Sequence, residues 1–137
     1  MEKLHIPATK YTPEILLDPD KGLIEIKGKS YPENTFEFYK PLMEWVEEYF
    51  KCCAKDETTV NMEIVYFNSS SSKLFFDFFD LLDEYKDKHK IVVNWIYDEE
   101  NESAKEAGED FIEDFEDLDI RLVVLVDKDK EKENGSE

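Results

Sequence analysis

Three times between Gly22 and Val126 the chain sets a strand-length apolar run against a helix-length amphipathic run. GLIEIKG is followed by ENTFEFYKPLMEWVEEYFKCC, VNMEIVYF by a helical run from about Ser70 to Lys88, and IVVNWIYD by ESAKEAGEDFIEDF, before IRLVVLV closes the series. Apolar side chains recur with a period near two in the first kind of run and near 3.6 in the second. Strands joined through helices of this length pair in parallel by right-handed crossovers. The pattern therefore predicts an α/β fold with a mixed, mostly parallel sheet and helices packed on it.

Ahead of this series, EILLD (Glu14 to Asp18) faces GLIEIKG across the turn-forming DPDKG, which reads as a hairpin and makes the order ββαβαβαβ. In the first helical run Phe36, Tyr39, Leu42, Met43, Val46, Tyr49 and Phe50 share a face, with Pro41 as a blemish at the first turn or at a kink. IVVNWIYD is nearly continuous in apolar character, which suggests burial on both faces. Residues 1–127 read as one domain, and the apolar-free stretch 128–137 as a disordered charged tail.

Charge narrows the function. The net charge of -18 on 137 residues argues against nucleic acid and anionic membrane surfaces, both of which need clustered Lys and Arg. No run approaches a transmembrane length and the start MEKLHIPATK lacks the apolar core of a signal peptide, so a cytoplasmic protein without membrane insertion is expected. Cys52 and Cys53 are adjacent and match no metal or redox spacing, so they read as reduced thiols. No cofactor and no metal is called for.

The junction YFNSSSSK, Tyr66 to Lys73, carries more hydroxyls than a connection needs. One of Ser69 or Ser70 is expected to cap the helix. The remaining hydroxyls suggest a phosphoacceptor: helix N-termini at the carboxyl ends of strands favour anions, and Lys73 lies one turn along. Ser70 and Lys73 also have the S-x-x-K spacing of penicillin-binding enzymes, but no S-D-N or K-T-G element accompanies it, and nothing places His5 or His89 near the serines. A small serine enzyme is the reading from that other class.

LHIPATKYTPEI, GKSYPENTFEFY, YFNSSSSK, NWIYDEENE and EAGEDFIEDF together resemble, in order and over nearly the whole chain, the SiaC family of bacterial regulatory phosphoproteins. The SYPEN box (Ser30 to Asn34), the Asn-Ser-Ser-Ser run and the Trp-x-Tyr-Asp run carry the resemblance. It implies a fold similar to the STAS domain of anti-sigma factor antagonists. It also implies phosphorylation by a partner protein kinase, dephosphorylation by a PP2C-like phosphatase, and activation of a diguanylate cyclase by the unphosphorylated form. By position the acceptor is Ser69, directly after Asn68, with Ser70, Ser71 and Ser72 as less favoured alternatives. Asn68 and Lys73 would shape the site. A STAS-type antagonist of an anti-sigma kinase is the neighbouring alternative.

Two further features read as partner surface. Phe76 falls off the apolar stripe of Phe75, Phe78, Phe79, Leu82 and Tyr85, and an exposed aromatic marks an interface. Asp98 and Glu99, in the DEENE run, open the third helix with an acidic rim that would suit a basic kinase or phosphatase surface. In the SYPEN box, Pro32 and Asn34 read as a helix start.

Overall fold

The computed structural model describes residues 1–125; residues 126 and 127, at the end of the domain as read, and the stretch read as a charged tail lie outside the described residues. Six strands, β1 (Leu4–Ile6), β2 (Glu14–Asp18), β3 (Leu23–Ser30), β4 (Glu57–Phe67), β5 (Lys90–Asp98) and β6 (Asp119–Leu125), form one sheet in the order of the sequence. Three helices, α1 (Thr35–Cys52), α2 (Ser69–Tyr85) and α3 (Glu102–Asp114), connect the last four strands. β1, β2 and β3 are antiparallel, and β3 to β6 are parallel. The expected order thus stands with one strand added in front: LHI is too short to carry a period, and it forms because β2 offers it an edge.

Strand order explains which face is covered. Each crossover moves one strand further in the same direction, so right-handed connections put all three helices on one side. Ile24, Ile26, Val60, Met62, Ile64, Val93 and Trp95 point to that side and are buried with Tyr39, Val46, Phe75, Phe78, Phe79 and Phe111 from the helices. The opposite face carries Glu25, Asn61 and Asn94 on neighbouring strands, joined by Asn61 Nδ2 to Glu25 Oε2 at 3.1 Å and Asn94 Nδ2 to Asn61 Oδ1 at 2.9 Å. This corrects the reading of β5 as buried on both faces. Val92 is buried, but Asn94 and Ile96 on the uncovered face are only half-buried.

One irregularity aims the end of β4. Pairing with β3 shifts after Gly28↔Ile64 to Lys29↔Tyr66, which leaves Val65 as the extra residue of a bulge. Gly28 has φ 129, a conformation open to glycine and strained for other residues. Beyond the bulge the alternation is rephased. Phe67 turns towards the helices, with its ring 5.4 Å from Phe75 and 6.1 Å from Trp95, while Tyr66 stays exposed against Tyr31. The strand therefore ends with its last side chain in the core and the next residue free to start a helix.

Pro41 sits inside α1 without ending it. At the other end of that helix, Cys52 and Cys53 are joined as a disulfide rather than standing as free thiols. Cys53 is the C-cap and leaves helical dihedrals, which lets two neighbouring side chains meet.

Candidate functional site

Each of the three helices begins with an asparagine cap. Asn34 Oδ1 accepts from Glu37 N–H, Asn68 Oδ1 from Ser71 N–H at 2.9 Å, and Asn101 Oδ1 from Ala104 N–H. At the serine run the cap is thus Asn68, not Ser69 or Ser70. The carboxamide reaches the same first-turn donor a serine would have served, and Asn68 holds extended dihedrals that end the strand. Ser69 becomes the first helical residue, with its hydroxyl released from capping.

Successive helical residues turn by about 100°, so the four hydroxyls have four surroundings. Ser69 and Ser70 are exposed, Ser72 is half-buried, and Ser71 is fully buried. Ser71 Oγ donates to the Ser30 carbonyl at 3.0 Å and lies 2.7 Å from Ser30 Oγ, which in turn lies 2.5 Å from Tyr39 Oη. Burial pushes the Tyr39 phenol well above its ordinary value, against a smaller opposing effect of the Ser30 hydrogen bond. This neutral hydroxyl chain ties the end of β3 and the second turn of α1 to the first turn of α2. It removes Ser71 from the candidates for modification, because a buried, doubly bonded hydroxyl offers nothing to a kinase.

Ser70 and Lys73 line an open groove of about 380 Å³ between the starts of α1 and α2, together with Asn34, Phe36, Leu74 and Asp77. Phe36, assigned from its spacing to the core stripe of α1, is 70% exposed. The stripe runs on into the first turn, where Phe36 lines this groove instead of the core. Phe76, read as the exposed aromatic, is half-buried against Phe111 at 4.9 Å and Phe115 at 6.1 Å. The sequence of α2 taken alone hides this, because α3 supplies both contacts. Phe36, Ser30 and Tyr39 are the site residues that spacing missed. The signal for Ser30 was the SYPEN box, whose serine, proline and asparagine are respectively in the hydroxyl chain, buried, and capping, whereas Phe36 and Tyr39 follow the box and read only as members of the helical stripe.

At the neighbouring rim, Asp98 shapes the turn into α3: Oδ1 accepts from Glu100 N–H at 2.9 Å and its carbonyl from Asn101 N–H. Glu99 is exposed and its N–H donates to the Leu125 carbonyl. Asn101 Nδ2 donates to the Val65 carbonyl at 3.0 Å, which ties this rim to the bulge in β4. Ser70 and Lys73 share a groove, but no hydrogen bond joins them and neither His5 nor His89 lines it. His5 pairs with Glu14 and His89 packs on Phe50. Among the described residues no group of three or more His, Cys, Asp or Glu is placed to hold a metal ion, and no helix is long and apolar enough to cross a membrane. The arrangement presents an exposed hydroxyl at a helix start, flanked by one cation and one exposed aromatic ring.

The family model described as SiaC family regulatory phosphoprotein matches residues 6–125. An uncharacterised protein of Pseudomonas aeruginosa strain UCBPP-PA14 is 36% identical over 115 residues, covering 83% of this chain and 90% of that protein. Apo-SiaC from Pseudomonas aeruginosa is similar in structure with a TM-score of 0.83 and 32% identity, covering 90% of this chain and 99% of that one. The diguanylate cyclase SiaD in complex with its activator SiaC, from the same organism, gives a TM-score of 0.83 and 32% identity, over 89% of this chain and 99% of the matched one.

Proposed function

The chain belongs to the SiaC family of regulatory phosphoproteins, and from that premise we propose that it is a cytoplasmic phosphoswitch without catalysis of its own. Ser69 takes a phosphoryl group from a partner protein kinase and loses it to a PP2C-like phosphatase. The unphosphorylated form binds and activates a diguanylate cyclase, so cyclic di-GMP output follows the state of Ser69. The cyclase partner is supported by a relative at 32% identity that is an activator in complex with such an enzyme. A single domain spanning residues 1–127 is enough for this role.

One observation carries the choice of residue. Ser69 is the exposed hydroxyl directly after the capping Asn68, whereas Ser71 is locked in the buried chain and Ser72 is half-buried towards α3. Ser70 is the runner-up, since it too is exposed.

The switch works through the groove beside Ser69. Phe36 is the apolar anchor there, and burying it against a partner requires its neighbours to shed water. A phosphate adds about -1.5 to -2 charges at pH 7 and resists desolvation, so it opposes that burial. Lys73, four residues from Ser69 and on the same helical face, draws the phosphate towards the groove and over the anchor. Asp98 and Glu99 extend the surface as an acidic rim for a basic patch of the kinase or phosphatase.

Phosphopeptide mass spectrometry on the protein from its native cells tests the acceptor. Trypsin releases Asp56 to Lys73 as one peptide, because no Lys or Arg lies between its ends. A phosphate on Ser69 with weaker cyclase binding is the expected result. Equal cyclase affinity of the phosphorylated and unphosphorylated forms would overturn the switch.

A further inference from the structure

On the other side of α2 from the Ser70 groove, a notch of about 230 Å³ opens between α2 and α3. Its walls include Phe67, Ser72, Phe76 and Ala107, and its α3 rim carries Glu106 and Asp110. The volume lies below the roughly 300–1,000 Å³ of small-molecule sites, which suits one long side chain. Phe76 does not swing in to fill it, because its ring is held between Phe111 and Phe115.

Charge says what kind of side chain. Glu106 and Asp110 are exposed and one helical turn apart, so they repel each other along the α3 rim of the notch. Neither forms an ion pair among the described residues. Glu102, Glu109, Glu113 and Asp114 surround them on the same short helix, where Lys105 is the one basic residue. A cation that also has an apolar stem meets both demands: the stem covers Phe67, Phe76 and Ala107, and the head relieves the paired carboxylates. Arginine does this better than lysine, since its planar head bridges two carboxylates and stacks on an aromatic ring.

We propose that the notch between α2 and α3 is a docking socket for an arginine side chain of a partner protein. It deepens the phosphoswitch reading by naming how a partner is held. Ser69, Ser72 and Phe76 lie at i, i+3 and i+7 of α2, so the socket opens one turn from the proposed acceptor. Its existence needs neither a kinase nor a cyclase.

The test titrates a synthetic amphipathic helix, with leucines on one face and one central arginine, into the isotopically labelled full chain and follows backbone amide shifts. A twin peptide carries citrulline, the neutral isostere, in place of arginine. Shifts should concentrate at Ser72, Phe76, Glu106, Ala107 and Asp110. The citrulline twin and the Glu106→Gln/Asp110→Asn variant should each bind more weakly by roughly tenfold or more, the scale of losing one charge-assisted hydrogen bond. Glu47→Gln/Glu48→Gln, which removes the same charge from α1, should change affinity by less than about twofold. Equal losses in the two variants would reduce the effect to the field of an acidic protein and overturn the socket. So would shifts elsewhere, or arginine and citrulline peptides of equal affinity. Failure here leaves the Ser69 phosphopeptide result untouched, and failure of that result leaves the socket standing.

Discussion

Removing the Ser30 hydroxyl should cost more stability than removing the Tyr39 hydroxyl, although Tyr39 is much the larger residue. Ser30 Oγ is the middle of the chain, with Tyr39 Oη at 2.5 Å on one side and Ser71 Oγ at 2.7 Å on the other. In Ser30→Ala, Ser71 keeps its bond to the Ser30 carbonyl at 3.0 Å. Tyr39 Oη loses its one hydrogen-bond partner while its residue is fully buried. An orphaned buried hydroxyl costs about 1–3 kcal/mol. Tyr39→Phe takes away the group that would be orphaned and leaves Ser30 bonded to Ser71, so it should cost about 1 kcal/mol, the net value of one hydrogen bond. In the double variant no phenol remains to be orphaned, so its cost should fall short of the sum of the singles by roughly 0.5 kcal/mol or more. Urea unfolding followed by both tryptophan fluorescence and circular dichroism measures all three, with coincident transitions as the check on two-state behaviour. Additive costs, or a Tyr39→Phe variant less stable than Ser30→Ala, would refute the chain as drawn.

The raised Tyr39 phenol gives a signed pH effect. Its native value lies above its ordinary 10.0, so the stabilisation is complete below the unfolded value and is lost as pH rises towards the native one. Relative to Tyr39→Phe, the wild type should lose up to about 1.4 kcal/mol per pH unit above about pH 10, read from urea midpoints on either side of it. Gly108→Ala should destabilise in spite of the roughly 1 kcal/mol gain in helix propensity, because the new Cβ would lie 2.5 Å from Trp95 Cδ1 and 2.6 Å from Leu122 Cδ2. Overpacking of this kind costs about 1–3 kcal/mol, which a shifted thermal midpoint would report. Asn68→Ala should lose about 1 kcal/mol with the helix cap, whereas Ser69→Ala should melt within about 0.5 kcal/mol of the wild type, as an exposed position with no buried partner does.

Periodicity carried the reading of the framework because each of the long elements buries one face against a single core. The 3.6 period of α1, α2 and α3 and the alternation in β4 follow directly from that face. Where a side chain's partner lies elsewhere in the chain, the local pattern had nothing to say. Phe76 looked exposed because Phe111 and Phe115 lie on another helix. Phe36 looked buried because a stripe does not reveal where its cover ends. The Ser30 to Ser71 contact spans 41 positions and was invisible for the same reason. The run of apolar residues in β5 suggested two covered faces, but the direction of the crossovers, not the strand's composition, decides how many faces are covered.

The four serines make sense once they are taken as four positions rather than one site. A helix starting at Asn68 sends Ser69 to solvent, Ser70 to the groove with Phe36 and Lys73, Ser71 into the core, and Ser72 towards α3. A larger residue at 71 would break the contact with Ser30, and an apolar one at 69 would leave a kinase no acceptor there. The hydroxyls at 70 and 72 line two different grooves, and each is small enough to leave its groove open. The buried Ser71, two residues on from the proposed acceptor, also gives this first turn a fixed frame. Ser71 is held from below by Ser30 and at its amide by Asn68, so Ser69 sits in a turn pinned by the residue before it and by the residue two after it. On the proposed switch, a partner that reads the charge state of Ser69 meets a rigid rim, and a phosphate there acts on the neighbouring groove lined by Ser70, Phe36 and Lys73, not by melting the helix that carries it.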